Sequence, residues 1–218
     1  MQERSDIVSA GEATQLIVKN GHLLVRRDGL LDLIDTGSPF TMAAPEMVSE
    51  AVGEQVDRIL GTDELAKEIV IFDLAAGVVT FNAEDPAEVA WLAAPSMLGV
   101  PQLRVSTPMG EAMALLDTGA WLGYGPAEAM ADRPMVREVE DFHPMLNEPL
   151  LSRVYRLPIA LAGREVELEM GVLPPALGGL LAMIGCAWIV GPSLFEGRRL
   201  VLDLGHQRIA DLPGAAGK

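Results

Sequence analysis

Two aspartates that each begin an Asp-Thr-Gly tripeptide are the residues of this sequence best suited to do chemistry. They are Asp35 and Asp117, 82 positions apart. The glycine of each tripeptide permits a tight turn and the close approach of a second loop. If the two loops meet, their carboxylates share a proton, because like charges a few ångströms apart do not both ionise easily. One carboxylate can then act as a general base toward water, and the other as a general acid toward a carbonyl oxygen.

The elements that must position these aspartates occur twice, in the same order. An apolar run precedes each tripeptide, and two apolar residues plus Gly and then an apolar pair plus Asp-Leu follow it. The first copy consists of Leu30–Ile34, Ile59-Leu60-Gly61 and Ile71-Phe72-Asp73-Leu74. The second copy consists of Ala112–Leu116, Met183-Ile184-Gly185 and Val201-Leu202-Asp203-Leu204. This recurrence predicts two copies of one lobe, with Asp73 and Asp203 as solvated or turn-side residues at strand ends.

The second copy is longer than the first. Asp35 lies 26 positions before Gly61, whereas Asp117 lies 68 positions before Gly185, so the second copy carries about 42 extra residues. Within them, the strand-like runs Met135–Glu140 and Leu151–Leu161 flank a segment rich in turn-forming residues. This pattern predicts a hairpin in the second half that the first half lacks.

The rest of the chain also favours strands. Asn20-Gly21 and Pro108-Met109-Gly110 mark the turns of two further hairpins. Helices are predicted only over short segments, at Pro45–Leu60, Thr62–Ala66 and Pro126–Ala131. The predicted fold class is therefore all-β with a few short helices.

Composition excludes several classes of protein. The 218 residues carry 16 Lys and Arg against 31 Asp and Glu, a net charge of −15, and half of the residues are hydrophobic. So apolar a chain is not of the disordered class. A nucleic-acid partner is not expected, because phosphate binding needs clustered Lys and Arg.

Cysteine usage and the chain start suggest a cytoplasmic protein without a membrane partner. The single cysteine, Cys186, excludes an internal disulfide framework and fits a reducing compartment. The first residues are charged and do not resemble a secretory signal. A stretch without charged residues, 171–195, is interrupted by proline and glycine, so it is expected to be a buried core segment.

His22, His143 and His206 lack ligand spacing, so no metal or other cofactor is expected.

On these motifs, both halves resemble the pepsin and retropepsin class of aspartic proteases. The matching residues are Asp35-Thr36-Gly37-Ser38, Asp117-Thr118-Gly119-Ala120 and the apolar triplets that end at Gly61 and Gly185. The resemblance implies a two-lobed, acid-protease-like β-barrel pseudo-dimer. Residues 1–90 would form an N-terminal lobe without a flap. Residues 91–218 would form a retropepsin-like C-terminal lobe with a flap hairpin at about 135–160.

The resemblance also implies a role for each matching residue. Asp35 and Asp117 would be the catalytic pair, and Thr36 and Thr118 would hydrogen-bond across the two loops. Gly37 and Gly119 would support the loops. Ser38 would hydrogen-bond the outer oxygen of Asp35, which Ala120 cannot do for Asp117. The tip of the single flap would contact substrate through a set of three residues, Phe142, His143 and Met145.

The sequence departs from this family in two respects. Its flap lies in the second lobe, whereas single-chain pepsins carry theirs in the first, and the hairpin lacks an obvious flap tyrosine. The predicted function is an aspartic endopeptidase that acts on a peptide or protein substrate as a monomer. Two alternatives remain: a non-catalytic peptide-binding or interaction module on the same fold, and a homodimer in which the second-half lobes of two chains meet.

Overall fold

A computed structural model describes residues 11–86, 89–141 and 150–214, and most of these residues lie in or beside β-strands. The predicted all-β class is confirmed. The strands are β1 (Ala13–Lys19), β2 (His22–Arg27), β3 (Leu30–Ile34), β4 (Met42–Ala43), β5 (Arg58–Leu60), β6 (Val70–Asp73), β7 (Val78–Thr80), β8 (Leu92–Ala93), β9 (Ser96–Met97), β10 (Val100–Thr107), β11 (Gly110–Leu116), β12 (Gly123–Gly125), β13 (Met135–Asp141), β14 (Leu150–Leu161), β15 (Arg164–Val172), β16 (Trp188–Val190), β17 (Arg198–Asp203) and β18 (Arg208–Pro213).

Short helices connect some of these strands. The α-helices are α1 (Glu46–Val52), α2 (Thr62–Leu65) and α3 (Pro175–Met183), and 3-10 turns cover Ala127–Met130, Pro192–Phe195 and Leu204–His206. The helix predicted over Pro45–Leu60 is wrong in its second half. It ends at Val52, because Gly53 takes a left-handed conformation (φ 74°) and closes it. The chain then returns as β5, whose buried Ile59 and Leu60 pair with β3.

The strands form two sheets. The larger sheet has the order β4-β5-β3-β2-β1-β7-β6-β17-β18-β8, and the smaller has the order β13-β14-β15-β12-β16-β11-β10-β9. A further pairing of β14 with β10, Ser106 opposite Ala160, closes the smaller sheet on itself. In the larger sheet β17 pairs antiparallel with β6, with Leu200 opposite Phe72. Strands from both sides of residue 90 thus share one sheet, and the lobe boundary at that residue stays a prediction.

The two copies correspond in the structure, but one matching motif of the sequence is wrong. In the first half β3 pairs in parallel with β5, with Ile34 opposite Leu60. In the second half β11 pairs in parallel with β16, with Leu116 opposite Val190. The counterpart of Gly61 is therefore Gly191 rather than Gly185. Gly185 instead follows the end of α3, with φ 75°. With Gly191 the spacing to the next recurring feature also agrees, because Asp73 and Asp203 each follow their glycine by 12 positions.

The additional length of the second half lies where the hairpin was predicted. The first half has β4, α1 and β5 between Asp35 and Gly61, whereas the second half adds the long antiparallel pair β13–β14, followed by β15. The predicted tip residues fall at 142–149, outside the described residues; they include Phe142, His143 and Met145.

Asp73 and Asp203 are buried, so the expectation that they are solvated is wrong. Asp73 is 8% exposed and accepts the amide N–H groups of Ala75 and Ala76 at 3.2 and 2.9 Å, as a turn-side residue does. Asp203 is 4% exposed and accepts the Arg208 Nε–H at 2.6 Å. Hydrogen bonds compensate the loss of water around both carboxylates.

One hydrophobic core spans the two halves. Phe72 and Leu60 from the first half belong to the same buried cluster as Trp188, Phe195 and Leu202 from the second. Because each half exposes part of this cluster when it is alone, neither is expected to be stable without the other. Within the described ranges, no helix has both the length and the apolar character needed to cross a membrane.

Candidate active site

Each predicted catalytic aspartate follows a buried strand directly. The Asp35 N–H donates to the carbonyl of Leu60 at 3.0 Å, and the Asp117 N–H donates to the carbonyl of Val190 at 2.9 Å. The parallel neighbour of each strand, β5 or β16, therefore anchors the first residue of each loop. In the first half, the buried Asp32 on β3 also accepts two hydrogen bonds from Arg58 on β5, at 2.9 and 2.6 Å.

Both loops hold their aspartate in the same way. The Asp35 Oδ1 accepts the N–H groups of Gly37 and Ser38 at 2.8 and 3.1 Å. The Asp117 Oδ1 accepts those of Gly119 and Ala120 at 2.9 and 3.0 Å. The hydroxyl bond predicted from Ser38 to Asp35 is not formed, because the Ser38 hydroxyl donates to the carbonyl of Phe40 at 2.8 Å. Backbone amides therefore orient both carboxylates alike, whether serine or alanine follows.

The two loops are joined by their threonines. The Thr36 N–H donates to the Thr118 hydroxyl and the Thr118 N–H donates to the Thr36 hydroxyl, both at 3.0 Å. Each hydroxyl then donates to a backbone carbonyl of the opposite strand, Thr36 to Leu116 at 2.6 Å and Thr118 to Ile34 at 2.9 Å. Both threonines are fully buried. The four bonds are reciprocal, and they are the bonds between the loops that the sequence predicted.

The glycines of the tripeptides let each loop reach the other aspartate. A Cβ added at Gly37 would lie 2.5 Å from the carboxyl carbon of Asp117, and one at Gly119 would lie 2.6 Å from that of Asp35. No side chain fits within such distances, so only glycine permits this approach. The structure thus brings Asp35 and Asp117 together across the interface of the two loops.

The carboxyl groups of Asp35 and Asp117 face each other, because each lies against the glycine of the opposite loop. Burial, the largest effect, raises the pKa of Asp35, while the interaction with Asp117 and the amides of Gly37 and Ser38 act in the opposite direction. The pair therefore binds a proton more tightly than an ordinary aspartate in water. A shared proton is the state in which one member is a base and its partner an acid.

The raised pKa of Asp35 predicts a pH-dependent difference in stability between the wild type and Asp35→Asn. A carboxyl whose folded-state pKa is raised stabilises the fold fully below its unfolded pKa and loses this contribution as pH rises through the folded pKa. Asparagine keeps the amide contacts and does not titrate. The free energy of unfolding of Asp35→Asn, relative to the wild type, is therefore expected to rise as the pH is raised above about 4, the ordinary pKa of an aspartate.

Urea denaturation of both proteins across this range measures the effect. Asp28→Asn, the same substitution at an exposed turn between β2 and β3, is the control and is expected to keep a constant difference from the wild type. The general charge repulsion of the acidic chain is common to all three proteins. A pH-independent difference for Asp35→Asn would contradict the prediction.

A cavity of about 260 Å³ opens over the two aspartates. Its walls are mostly apolar, and its polar lining comes from both halves of the chain. The residues that the sequence analysis did not assign to the site are His22, Trp121, Tyr124 and Asp141, together with Pro39 and the apolar side chains of Leu33, Met42, Val48, Ile59, Leu177 and Ile189. Leu33 and Ile59 lie in the recurring apolar segments, and Trp121 directly follows the second loop, so these three had a signal in the sequence.

The end of β13 nearest the predicted tip is held beside the second loop. Asp141, the last residue of β13, lies opposite Leu150 and accepts the Trp121 Nε1–H at 3.1 Å and the Tyr124 hydroxyl. Burial and the nearby Asp141 raise the pKa of Tyr124, so its hydroxyl stays protonated and donates. This end of the β13–β14 hairpin is thus fixed at the wall of the cavity. Across the described part of the chain, no group of three or more His, Cys, Asp or Glu is placed to hold a metal ion.

Comparison with known proteins gives structural neighbours only. No protein-family model matches the chain, and no curated protein matches it. Among solved structures it is similar to a foamy viral protease-reverse transcriptase solved with double-stranded DNA, with 25% identity over 42% of this chain and 14% of that chain (TM-score 0.33). The match therefore spans a small part of that protein.

Two smaller proteins match over most of their own length. The protease of Simian Foamy Virus (mac) is 20% identical over 42% of this chain and 88% of that chain, with a TM-score of 0.32. A retropepsin-like aspartic protease from Rickettsia conorii is 16% identical over 57% of this chain and 92% of that chain, with a TM-score of 0.41. These neighbours are aspartic proteases of the retropepsin type.

Proposed function

We propose that this chain is a single-chain aspartic endopeptidase in which Asp35 and Asp117 activate water against a peptide bond. One observation carries the proposal: two Asp-Thr-Gly loops, joined by reciprocal threonine bonds, place two carboxyl groups face to face at the floor of one cavity. Structural turns that ended strands would not need this mutual approach of glycine and carboxyl groups.

The shared proton takes part in both steps of the reaction, the addition of water and the cleavage of the C–N bond. The ionised carboxylate removes a proton from a water molecule held between the two aspartates, and the water oxygen bonds to the carbonyl carbon of the substrate. The protonated carboxyl donates its proton to the carbonyl oxygen, which gives a neutral tetrahedral diol. The C–N bond then breaks as the amide nitrogen takes the proton gained from water, and a hydroxyl proton of the diol returns to the other carboxylate. The pair ends as it began, with one proton between two carboxylates.

The shape and lining of the cavity support a peptide substrate in extended form. Apolar side chains surround the carboxyl pair, among them Leu33, Ile59 and Ile189. Apolar residues on both sides of the scissile bond would bury surface against them. β13 is the first strand of the smaller sheet and its last residue, Asp141, lines the cavity, so an extended peptide would pair with this edge.

The arrangement also supports a monomer as the active species. Asp35 and Asp117 come from one chain, and each loop's threonine completes the hydrogen bonds of the other. A second chain is therefore not needed to assemble the pair. Sedimentation of active fractions is expected to show activity with the monomer, whereas activity confined to dimers would favour the pairing of second-half lobes.

Exposure to a mixture of peptides, with the products identified by mass spectrometry, tests the function. We expect cleavage at about pH 5 between apolar residues, and inhibition by a statine-type mimic of the tetrahedral diol. Binding of peptides without cleavage would overturn the proposal in favour of the non-catalytic peptide-binding module. Cleavage that the mimic does not inhibit would also contradict the proposed mechanism.

A further inference from the structure

A buried histidine of the first half contacts the catalytic loop of the second. His22 begins β2, directly after the tight turn at Asn20-Gly21, and is 3% exposed. The turn lies against the second half, because a Cβ added at Gly21 would be 2.6 Å from the Cβ of Trp121. His22 also lines the cavity that contains Asp35 and Asp117.

The contact of His22 with the loop defines its tautomer. Its Nδ1 lies 2.7 Å from the carbonyl oxygen of Gly119, two residues after Asp117. A carbonyl oxygen only accepts hydrogen bonds, so Nδ1 carries a proton and donates it. Any further proton must therefore be taken up at Nε2, and it makes the ring a cation beside the catalytic pair.

The charges around this ring are mostly negative. Asp117 and Asp141, from the second loop and from β13, both favour the charged form of His22, whereas burial lowers its pKa and is the larger effect. Asp35 and the hydroxyl of Tyr124 line the same cavity. On the neighbouring strand β1, Lys19 is paired with Glu54 at 3.1 Å, so its charge is already compensated.

We propose that His22 is a positioning residue for Asp117: it holds the second loop through Gly119, and once the pH is low enough for its ring to take up a second proton, this charge favours the ionised form of Asp117. This inference rests on the proposed function, because it concerns the proton that the two aspartates share. The physical basis is reciprocal: an aspartate that favours protonation of a nearby imidazole is itself kept ionised by the imidazolium. His22 would thereby extend activity to lower pH.

The first test compares pH profiles of kcat/KM. His22→Gln keeps an amide N–H that can reach the Gly119 carbonyl, but it does not titrate. We expect the acid limb of its profile to move up by about one pH unit, which is a loss of about tenfold on that limb. His206→Gln is the matched control, because His206 is exposed and bonded to Asp203. An acid limb that is unchanged in His22→Gln, or moved equally in His206→Gln, would overturn the inference.

The second test measures the coupling without any substrate. NMR titration of the His22 ring, assigned by its loss in His22→Gln, is carried out in the wild type, Asp117→Asn and the control Asp28→Asn. Asp117→Asn is expected to lower the titration midpoint of His22, since a favourable negative charge is removed, and Asp28→Asn is expected to leave it unchanged. An unchanged midpoint in Asp117→Asn would overturn the inference even if peptides are cleaved. Absence of cleavage by the wild type would overturn the proposed function alone, because this coupling is measured without turnover.

Discussion

Asp35→Asn is expected to reduce kcat/KM for peptide cleavage by at least about 10³-fold while the fold is retained. The asparagine side chain has the same shape and can still accept the N–H groups of Gly37 and Ser38, so the loop keeps its geometry. It does not ionise and cannot exchange a proton with water, so the base and acid roles of the pair are both lost. Initial rates on a peptide that the wild type cleaves measure the effect.

The same loss of activity is predicted for Asp117→Asn and for the double variant that combines Asp35→Asn with Asp117→Asn. Because the two carboxyl groups share one proton, each single variant and the double variant are expected to lose activity to a similar extent. Asp28→Asn, the same chemical change at an exposed turn, is expected to retain wild-type rates. Circular dichroism and the urea midpoint establish that each variant is folded. Substantial activity in folded Asp35→Asn or Asp117→Asn would sink the proposed mechanism.

Thr118→Val is expected to have the largest effect on stability, a loss of about 3 kcal/mol in the free energy of unfolding. Valine has nearly the shape of threonine, so packing is preserved and only the hydroxyl is removed. The hydroxyl accepts the Thr36 N–H and donates to the Ile34 carbonyl, and its removal leaves both backbone groups buried without these bonds. Urea denaturation followed by fluorescence measures the change.

The symmetry of the threonine bonds adds a second expectation. Thr36→Val removes the equivalent pair of bonds, to the Thr118 N–H and the Leu116 carbonyl. Because the two threonines belong to one network, the double variant is expected to lose less than the sum of the two single losses. Thr80→Val, on the half-buried strand β7, is the control and should change stability by less than about 0.5 kcal/mol. A loss that small for Thr118→Val would show that the threonine bonds do not hold the loops together.

The parts of this fold that follow from short stretches of sequence were predictable. The Asn20-Gly21 turn has positive φ at both residues, 49° and 82°, as a two-residue hairpin turn requires. Likewise, Asp35 and Asp117 each directly follow an apolar strand, as the local pattern predicted. These features depend on backbone conformations that a few adjacent residues dictate.

Predictions that depended on matching distant segments were less successful. Met183-Ile184-Gly185 has the composition of the triplet at Gly61, yet it lies at the end of α3, and Ile189-Val190-Gly191 occupies the equivalent place. Both segments are apolar and both end in glycine, so composition does not separate them. The pairing of β16 with β11 does, because it buries Trp188 in the core shared by the two halves.

The sequence by itself determined which two aspartates form the pair and which strands carry them, because each of these is encoded within a few residues and then repeated. The bonds between the two threonines were implied by the family resemblance. Only the tertiary structure decided what surrounds the pair. His22, Trp121, Tyr124 and Asp141 come together because β2, the second loop, β12 and β13 pack around one cavity. Contacts between residues as far apart as His22 and Gly119 have no local spacing that could reveal them. They are set by long-range strand pairing and by the burial of a common core.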